Sequence, residues 1–226
     1  MTALAPDPVG ITATCVLVDL GDCGVAGVRW AASCAEALGV GLVVHAGEHD
    51  ASAHAAVAAL PAEHAGLSVH VEHGHPTARW EGALVVVSRE SASAVPPLAG
   101  RDLRDVVVLG GTGARDLGVV TAVLGPVGSG GVLRRAIAFC RARRSTRLRL
   151  LSRPHPGSRD ALDEAVALAR SACPGVVVEP VRSATWSSPA DLLVVSGCAA
   201  GPGEGLQPEA RAALSYAPCP VLFTCS

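Results

Sequence analysis

Lysine and asparagine are absent from this 226-residue chain, and all 18 basic residues are arginine. Without lysine there is no cation for a Walker-type phosphate loop, no Schiff base and no pyridoxal anchor. Aromatic residues make up only 3% of the chain, although half of it is hydrophobic. The core is therefore expected to consist of Ala, Val and Leu packed between strands and helices. The formal net charge is −2, so no global field draws the protein to nucleic acid or to an anionic membrane. None of the eight cysteines forms a C-x-x-C pair, and Cys15, Cys34 and Cys140 lie in apolar stretches. They read as buried free thiols of a reducing, cytoplasmic compartment. No signal-like segment opens the chain, and no apolar run reaches the ~18 residues of a membrane helix. Ser-His-Asp order, paired carboxylates, a G-x-S-x-G elbow and an HxGH-type motif are also missing, so the chain is expected not to be an enzyme.

What is present alternates between strand and helix signals. Residues 1–10, with Pro6 and Pro8, read as a loose arm. Buried-type strands are expected at 11–19, 41–46, 83–88 and 105–109, with an alternating one at 67–72. Gly21 to Gly24 read as a turn into a helix over 25–38 that Gly39 caps, and a second helix over about 50–60 is ended by Pro61. The order then repeats. Strands are expected at 118–124, 147–152, 175–179, 191–196 and 219–224, with helices at 132–144 and 158–172. The third helix is expected to be truncated in both halves, about ten residues (180–190) being left for it in the second.

The halves resemble each other. ALVVVS at 83–88 matches DLLVVS at 191–196, and VRWAA at 28–32 matches LRRAI at 133–137. A period near 105 residues signals a duplication rather than a short solenoid repeat. The expected division is residues 11–112 and 117–226, with GGTGARDL at 110–117 as a flexible boundary.

The segment VLVDLGDCGVAGVRWAASCAEALGVGLVVHA at 16–46 and the closing APCPVLF at 217–223 resemble the universal stress protein family. Asp19 stands eleven residues before Trp30, as in that family. The resemblance implies an α/β fold of the adenine nucleotide alpha hydrolase-like kind. It would consist of two tandem, doubly wound, mainly parallel five-stranded sheets, with residues 105–109 and 219–224 pairing across a two-fold axis as an intramolecular pseudo-dimer. A homodimer is a further expectation, as is a protein partner. The resemblance also implies a stress-response or regulatory role without catalysis, and ATP or AMP as the ligand. No other cofactor and no metal is expected.

The family's nucleotide binders carry Gly-x-x-Gly, nine residues, then Gly-Ser/Thr after strand four, where glycine amides approach the phosphates. Here Gly197 and Gly201 remain, but Gln207 and Pro208 replace Gly-Ser, and SRESASAVPPLAG at 88–100 has no glycine pair. Asp19 aligns with the family's adenine-side aspartate, and its second-half counterpart reads as Leu124. Ligands in such sheets sit beyond the carboxyl ends of the strands, at the switch between strands one and four. Asp19 to Asp22 (with Leu20 and Gly21), Ser88 and Arg89 are expected to line that crevice in the first half, Arg89 supplying charge to a phosphate. Gly125 to Gly128 (with Pro126), and Ser196 to Gly201, are expected to line it in the second. The competing reading is a nucleotide-free structural or interaction module whose cleft is filled by its own side chains.

Other features have plainer readings. Gly110-Gly111-Thr112-Gly113 lacks the third glycine of a dinucleotide turn and reads as a linker. The glycines between 125 and 131 fit either an anion-binding turn or an ordinary loose one. His70, His73 and His75 with Glu72 read as a solvated loop rather than a metal site. Eight arginines between Arg134 and Arg153 read as a helix end with a solvated face rather than a polyanion patch.

Overall fold

The apolar β-branched runs become strands, and the alanine-rich stretches between them become helices that cover the strands. In a computed structural model, residues 13–46, 51–73, 82–92, 105–110, 117–125, 129–154, 157–183, 189–197 and 206–224 are described. The first half contains β1 (Cys15–Asp19), α1 (Leu20–Leu38), β2 (Gly41–Ala46), α2 (Ala51–Glu63), β3 (Val69–His73), β4 (Ala83–Ser88) and β5 (Asp105–Leu109). The second contains β6 (Val119–Leu124), α3 (Ser129–Ala142), β7 (Arg147–Ser152), α4 (Ser158–Ala172), β8 (Val177–Arg182), β9 (Leu192–Ser196), α5 (Pro208–Tyr216) and β10 (Val221–Thr224).

All ten strands form one sheet in the order β3-β2-β1-β4-β5-β10-β9-β6-β7-β8. Neighbours run parallel, except that β5 and β10 pair antiparallel, with Val107 opposite Leu222. Each half thus has the order 3-2-1-4-5, and the two fifth strands fuse the halves into one sheet. That pairing removes two edges that would otherwise template aggregation. The outer strand β8 carries Pro180, a residue tolerated at an edge because no inner ladder needs its missing N–H.

Two apolar layers sandwich the sheet. One continuous layer packs α1, α2, α3 and α4 against alternate strand residues of both halves, including Val18, Val86, Val107, Leu222, Val194 and Ala122. The opposite layer uses the intervening residues and is covered by Ala210 and Ala213 of α5. With so few aromatics, the two phenylalanines, Phe139 and Phe223, are the largest fully buried side chains.

Several boundaries differ from the sequence reading. Helix α1 starts at Leu20, because Asp19 caps it by accepting the Asp22 N–H at 3.1 Å. The glycine turn survives inside it as a kink at Gly24 (φ 62°, ψ −178°), a backbone state that favours glycine. Pro61 does not end α2, which runs on to Glu63. Helix α3 begins at Ser129, within the stretch read as a turn. Strand β8 extends to Arg182, taking residues assigned to a third helix. The expected N-terminal arm, 1–10, lies outside the described residues.

Two arginines of the second half reach the first, and four others tie the second half to itself. Arg135 of α3 pairs with the buried Asp105 of β5 at 2.8 Å, and the Arg143 guanidinium sits 5.7 Å from the Trp30 ring centroid. Arg147 and Arg149 bind Glu179, Arg153 binds Glu209, and Arg141 donates to the Ala172 carbonyl. Within the arginine cluster, Arg135, Arg143, Arg149 and Arg153 are partly buried, while Arg134, Arg141, Arg144 and Arg147 are exposed as the solvated-face reading expects.

Candidate functional site

The strand order reverses between β1 and β4 in the first half and between β6 and β9 in the second. A crevice is expected at each reversal, beyond the carboxyl ends of the strands.

In the first half the chain's own side chains occupy that place. Asp22, in the first turn of α1, accepts the Ser88 N–H at 2.7 Å, the Ser88 hydroxyl at 2.5 Å and the Ser91 hydroxyl at 2.6 Å. Ser91 in turn donates its N–H to Ser88 Oγ at 3.2 Å. Burial pushes the Asp22 carboxyl up, but hydrogen bonds from Ser88, Ser91 and Cys23 outweigh it and hold the carboxyl below its ordinary value. The Cys23 thiol, 3.6 Å from Asp22 Oδ2 and from the Val86 carbonyl, is pushed strongly up by burial and by the neighbouring Asp22 charge. It remains a thiol rather than a nucleophile.

Asp19 is committed as well. Besides capping α1, its carboxylate meets His45 Nδ1 at 3.3 Å across the β1–β2 pair. His45 is only 7% exposed, and its Nε2 is buried without a partner. Leu20 belongs to the core. Gly21 keeps the turn open beside Asp19, since a Cβ there would lie 3.2 Å from Asp19 Oδ1.

Arg89 does not supply charge to this crevice. Its guanidinium reaches across to the Ala217 carbonyl of the other half. Gly110 makes room for it: a Cβ at 110 would fall 2.2 Å from Arg89 Nη2 and 2.9 Å from the Ala217 oxygen. Gly110 is thus a buried packing position rather than part of a loose linker, while 111–116 lie outside the described residues.

The second half is built differently. A cavity of about 570 Å³ opens beyond the ends of β6 and β7, between the starts of α3 and α4. Leu124, Leu133 and Leu162 give it apolar walls, and Ser129, Ser152 and Glu164 give it polar ones. Gly125 lines it too, its carbonyl accepting the Ser129 hydroxyl. Ser196 ends β9 with its hydroxyl buried and without a partner among the described residues. The Gly197 N–H is engaged with the Thr224 carbonyl at 2.9 Å and so is not offered to a phosphate. Gln207 caps α5 through backbone alone, with its Nε2 buried and unpartnered, and Pro208 follows in the first turn. Pro126 and Gly201 lie outside the described residues.

Sheet register refines the match between halves. Val18 pairs with Val86, and Ala122 pairs with Val194. Ser88 and Ser196 are then counterparts, and Asp19 is matched by the buried Val123, one place before Leu124. Sequence reasoning named Asp22 only as part of a range and missed Ser91, His45, Ser129 and Ser152. The acid three residues after a capping Asp19 was the available signal, because that spacing is typical of a helix start. Of the histidines, His73 stacks on His54 with centroids 5.5 Å apart, and His75 lies outside the described residues. Among the described residues, no cluster of three metal-ligating side chains occurs, and no helix is long and apolar enough to cross a membrane.

No protein-family model matches the sequence, and no curated protein matches it at a significant level. Solved structures do share its architecture. A functionally unknown protein from Pseudomonas aeruginosa PAO1 aligns with a TM-score of 0.61 at 14% identity, covering 95% of this chain and 93% of that one. A candidate universal stress protein from Pseudomonas aeruginosa UCBPP-PA14 aligns at 0.59 and 13% identity, covering 96% and 94%. The cytoplasmic domain of a prokaryotic cation chloride cotransporter aligns at 0.58 and 11% identity, covering 95% and 96%. At such identities the likeness speaks for the fold alone, and that fold is the α/β arrangement of universal stress proteins.

Proposed function

We propose that the chain is a cytoplasmic, non-catalytic regulatory protein of the stress-response type that binds an adenine nucleotide in its second half. In this reading 11–112 and 117–226 are duplicated domains held as a pseudo-dimer, which the repeated strand order and the β5–β10 pairing support. The observation that carries the binding role is the cavity of about 570 Å³ at the ends of β6 and β7. Its volume falls within the ~300–1,000 Å³ of small-molecule sites. Leucine walls suit the face of a base, and the α3 N-terminus suits an acceptor or a phosphate.

The experiment is calorimetric titration with ATP, AMP and cyclic AMP, beside Ala161→Trp and Asp19→Ala. Ala161 is an exposed residue on the cavity wall, so tryptophan there blocks the space without disturbing the core. Binding that Ala161→Trp weakens at least tenfold while Asp19→Ala leaves it intact supports this reading. Heat lost in Asp19→Ala instead moves the site to the first half, and no heat at millimolar ligand removes the nucleotide role.

One observation favours a second reading, a nucleotide-free interaction module. The first-half crevice is filled by the Asp22–Ser88–Ser91 network, as such a module would require.

A further inference from the structure

The β5–β10 pairing uses the fifth strand of each half, so among the described residues the sheet ends at β3 on one side and at β8 on the other. A sheet edge offers unpaired N–H and C=O groups that template association unless charge, proline or a cover blunts them. The two edges are treated differently.

Register makes the comparison residue by residue. Val18, Val44 and Val71 stand level in the first half, and Ala122, Leu150 and Pro180 stand level in the second. Val18 pairs with Val86 as Ala122 pairs with Val194, so Val71 and Pro180 are counterparts. In a parallel ladder, alternate residues of an outer strand turn their backbone polar groups inward. The Val177 N–H donates to the Thr146 carbonyl and the Ser183 N–H to the Ser152 carbonyl. Odd-numbered residues of β8 therefore face β7, and Pro180 stands on the outward side, where its missing N–H deletes a donor from the edge. In the first half the Leu42 N–H donates to the Ser68 carbonyl. That turns the backbone of His70 and Glu72 toward β2 and leaves Val69, Val71 and His73 facing out, with no proline among them.

The flanking helices differ in the same sense. Helix α4, packed on β8, exposes Arg159, Asp160, Asp163, Glu164 and Arg170. Helix α2, beside α1 at the other end of the layer, has no Arg, Asp or Glu between 51 and 62 and exposes Ala55, Ala58 and Ala62. Proline and charge guard the second-half edge, and neither guards the first.

We propose that β3 is a docking edge for a second copy of this chain, the two β3 strands pairing antiparallel about a two-fold axis through Val71. Such an interface is isologous, so the edge must complement itself. It does. The outward N–H and C=O of Val71 meet those of the second copy's Val71 as a hydrogen-bonded pair. His70 then stands opposite Glu72 of the second copy, in the intervening pair where side chains approach most closely. His70 and Glu72 share one face of the strand, their side chains 70% and 47% exposed and 3.9 Å apart. Pairing sets each imidazole between two carboxylates and each carboxylate between two imidazoles. An axis through His70 or Glu72 would instead set like on like. The proposal is independent of the binding role argued above.

Sedimentation equilibrium of the full chain tests it, and a concentration-dependent monomer–dimer equilibrium is expected. Val71→Pro, which copies the second half's own device and removes only an outward N–H, is expected to abolish the dimer. His70→Glu and Glu72→Arg each weaken dimerisation roughly tenfold, because each places like charges across the axis twice. Mixed one to one, these two variants recover the dimer, since each chain then meets opposite charges in the other. Wild type that stays monomeric to about 1 mM, a dimer that Val71→Pro leaves intact, or a mixture that fails to recover it overturns the assignment. If Val71→Pro does not fold, the two charge variants and their mixture, which alter exposed side chains alone, decide it.

Discussion

The two halves share a strand order and an apolar skeleton but differ at the one place where the order reverses. In the first half, Asp19, His45, Asp22, Ser88 and Ser91 form a connected polar network at the ends of β1, β2 and β4. In the second, Val123, Leu151 and Ser196 hold the corresponding positions, the Ser196 hydroxyl has no partner among the described residues, and a cavity opens instead. Duplicating a backbone does not duplicate its chemistry, because function resides in the side chains at the site rather than in the fold. The half that kept its acids uses them on its own structure.

That comparison can be broken at its seam. Asp105 is 4% exposed and pairs with Arg135 of the other half. Replacing one member of a buried pair leaves an uncompensated charge, at a cost of about 3–5 kcal/mol. Asp105→Ala should therefore show the largest loss of stability in urea denaturation, and a cooperative transition split in two would show that the halves unfold separately.

The polar network can be removed next. Asp22→Ala leaves the donors of Ser88 and Ser91 unpaired, for a loss of about 1–3 kcal/mol, at the lower end because the network is partly open to solvent. The same carboxyl gives an acid signature. Its folded pKa lies below the unfolded value near ~4, so its contribution is complete above that value and is lost as pH falls through the folded one. Wild type should lose more stability between about pH 5 and 2 than Asp22→Ala does.

The cysteines sharpen the picture at the alkaline end. Burial pushes Cys34 and Cys140 up to about 12 and Cys219 up to about 11. These thiols should resist a thiolate-specific reagent at pH 8 in the folded protein and react once it is denatured. A folded pKa above the unfolded one means stability is intact below about 8.5 and declines as pH rises toward the folded values. Titrating the rate of labelling against pH measures this directly. Fast labelling of Cys34 at pH 8 would contradict its burial.

The smallest effect is also the most telling. Ser196→Ala removes a hydroxyl that has no partner, so it should change stability by no more than about 0.5 kcal/mol, or raise it. Its counterpart Ser88→Ala should cost about 1 kcal/mol or more. Equal losses in both would erase the distinction between the halves.

Much of the fold was legible in the chain. The continuous runs VLVD, LVVHA, LVVVS, DVVVL and LLVVS announce buried parallel strands, because a strand covered on both faces has no polar side to show. Gly39 announced the end of α1 for an equally local reason. Local signals misled where a neighbour overrode them: a capping aspartate pulled α1 forward through the glycine turn, and α2 absorbed Pro61 in its last turn. The site was far less legible. Asp22 and Ser88 are 66 residues apart, and Arg89 and Ala217 are 128 apart. No pattern in either segment records that they meet.

Composition and periodicity by themselves determined the α/β class, the repeated succession of strands and helices along the chain, and a core of small aliphatic residues. These follow from propensity and burial, which act residue by residue. Only the tertiary structure decided that Arg89 serves the seam rather than a phosphate, that Asp22 fills its own crevice, and that the open space lies in the second half. Those outcomes depend on which side chains the sheet register brings within ~3 Å of one another, and register is a property of the folded chain.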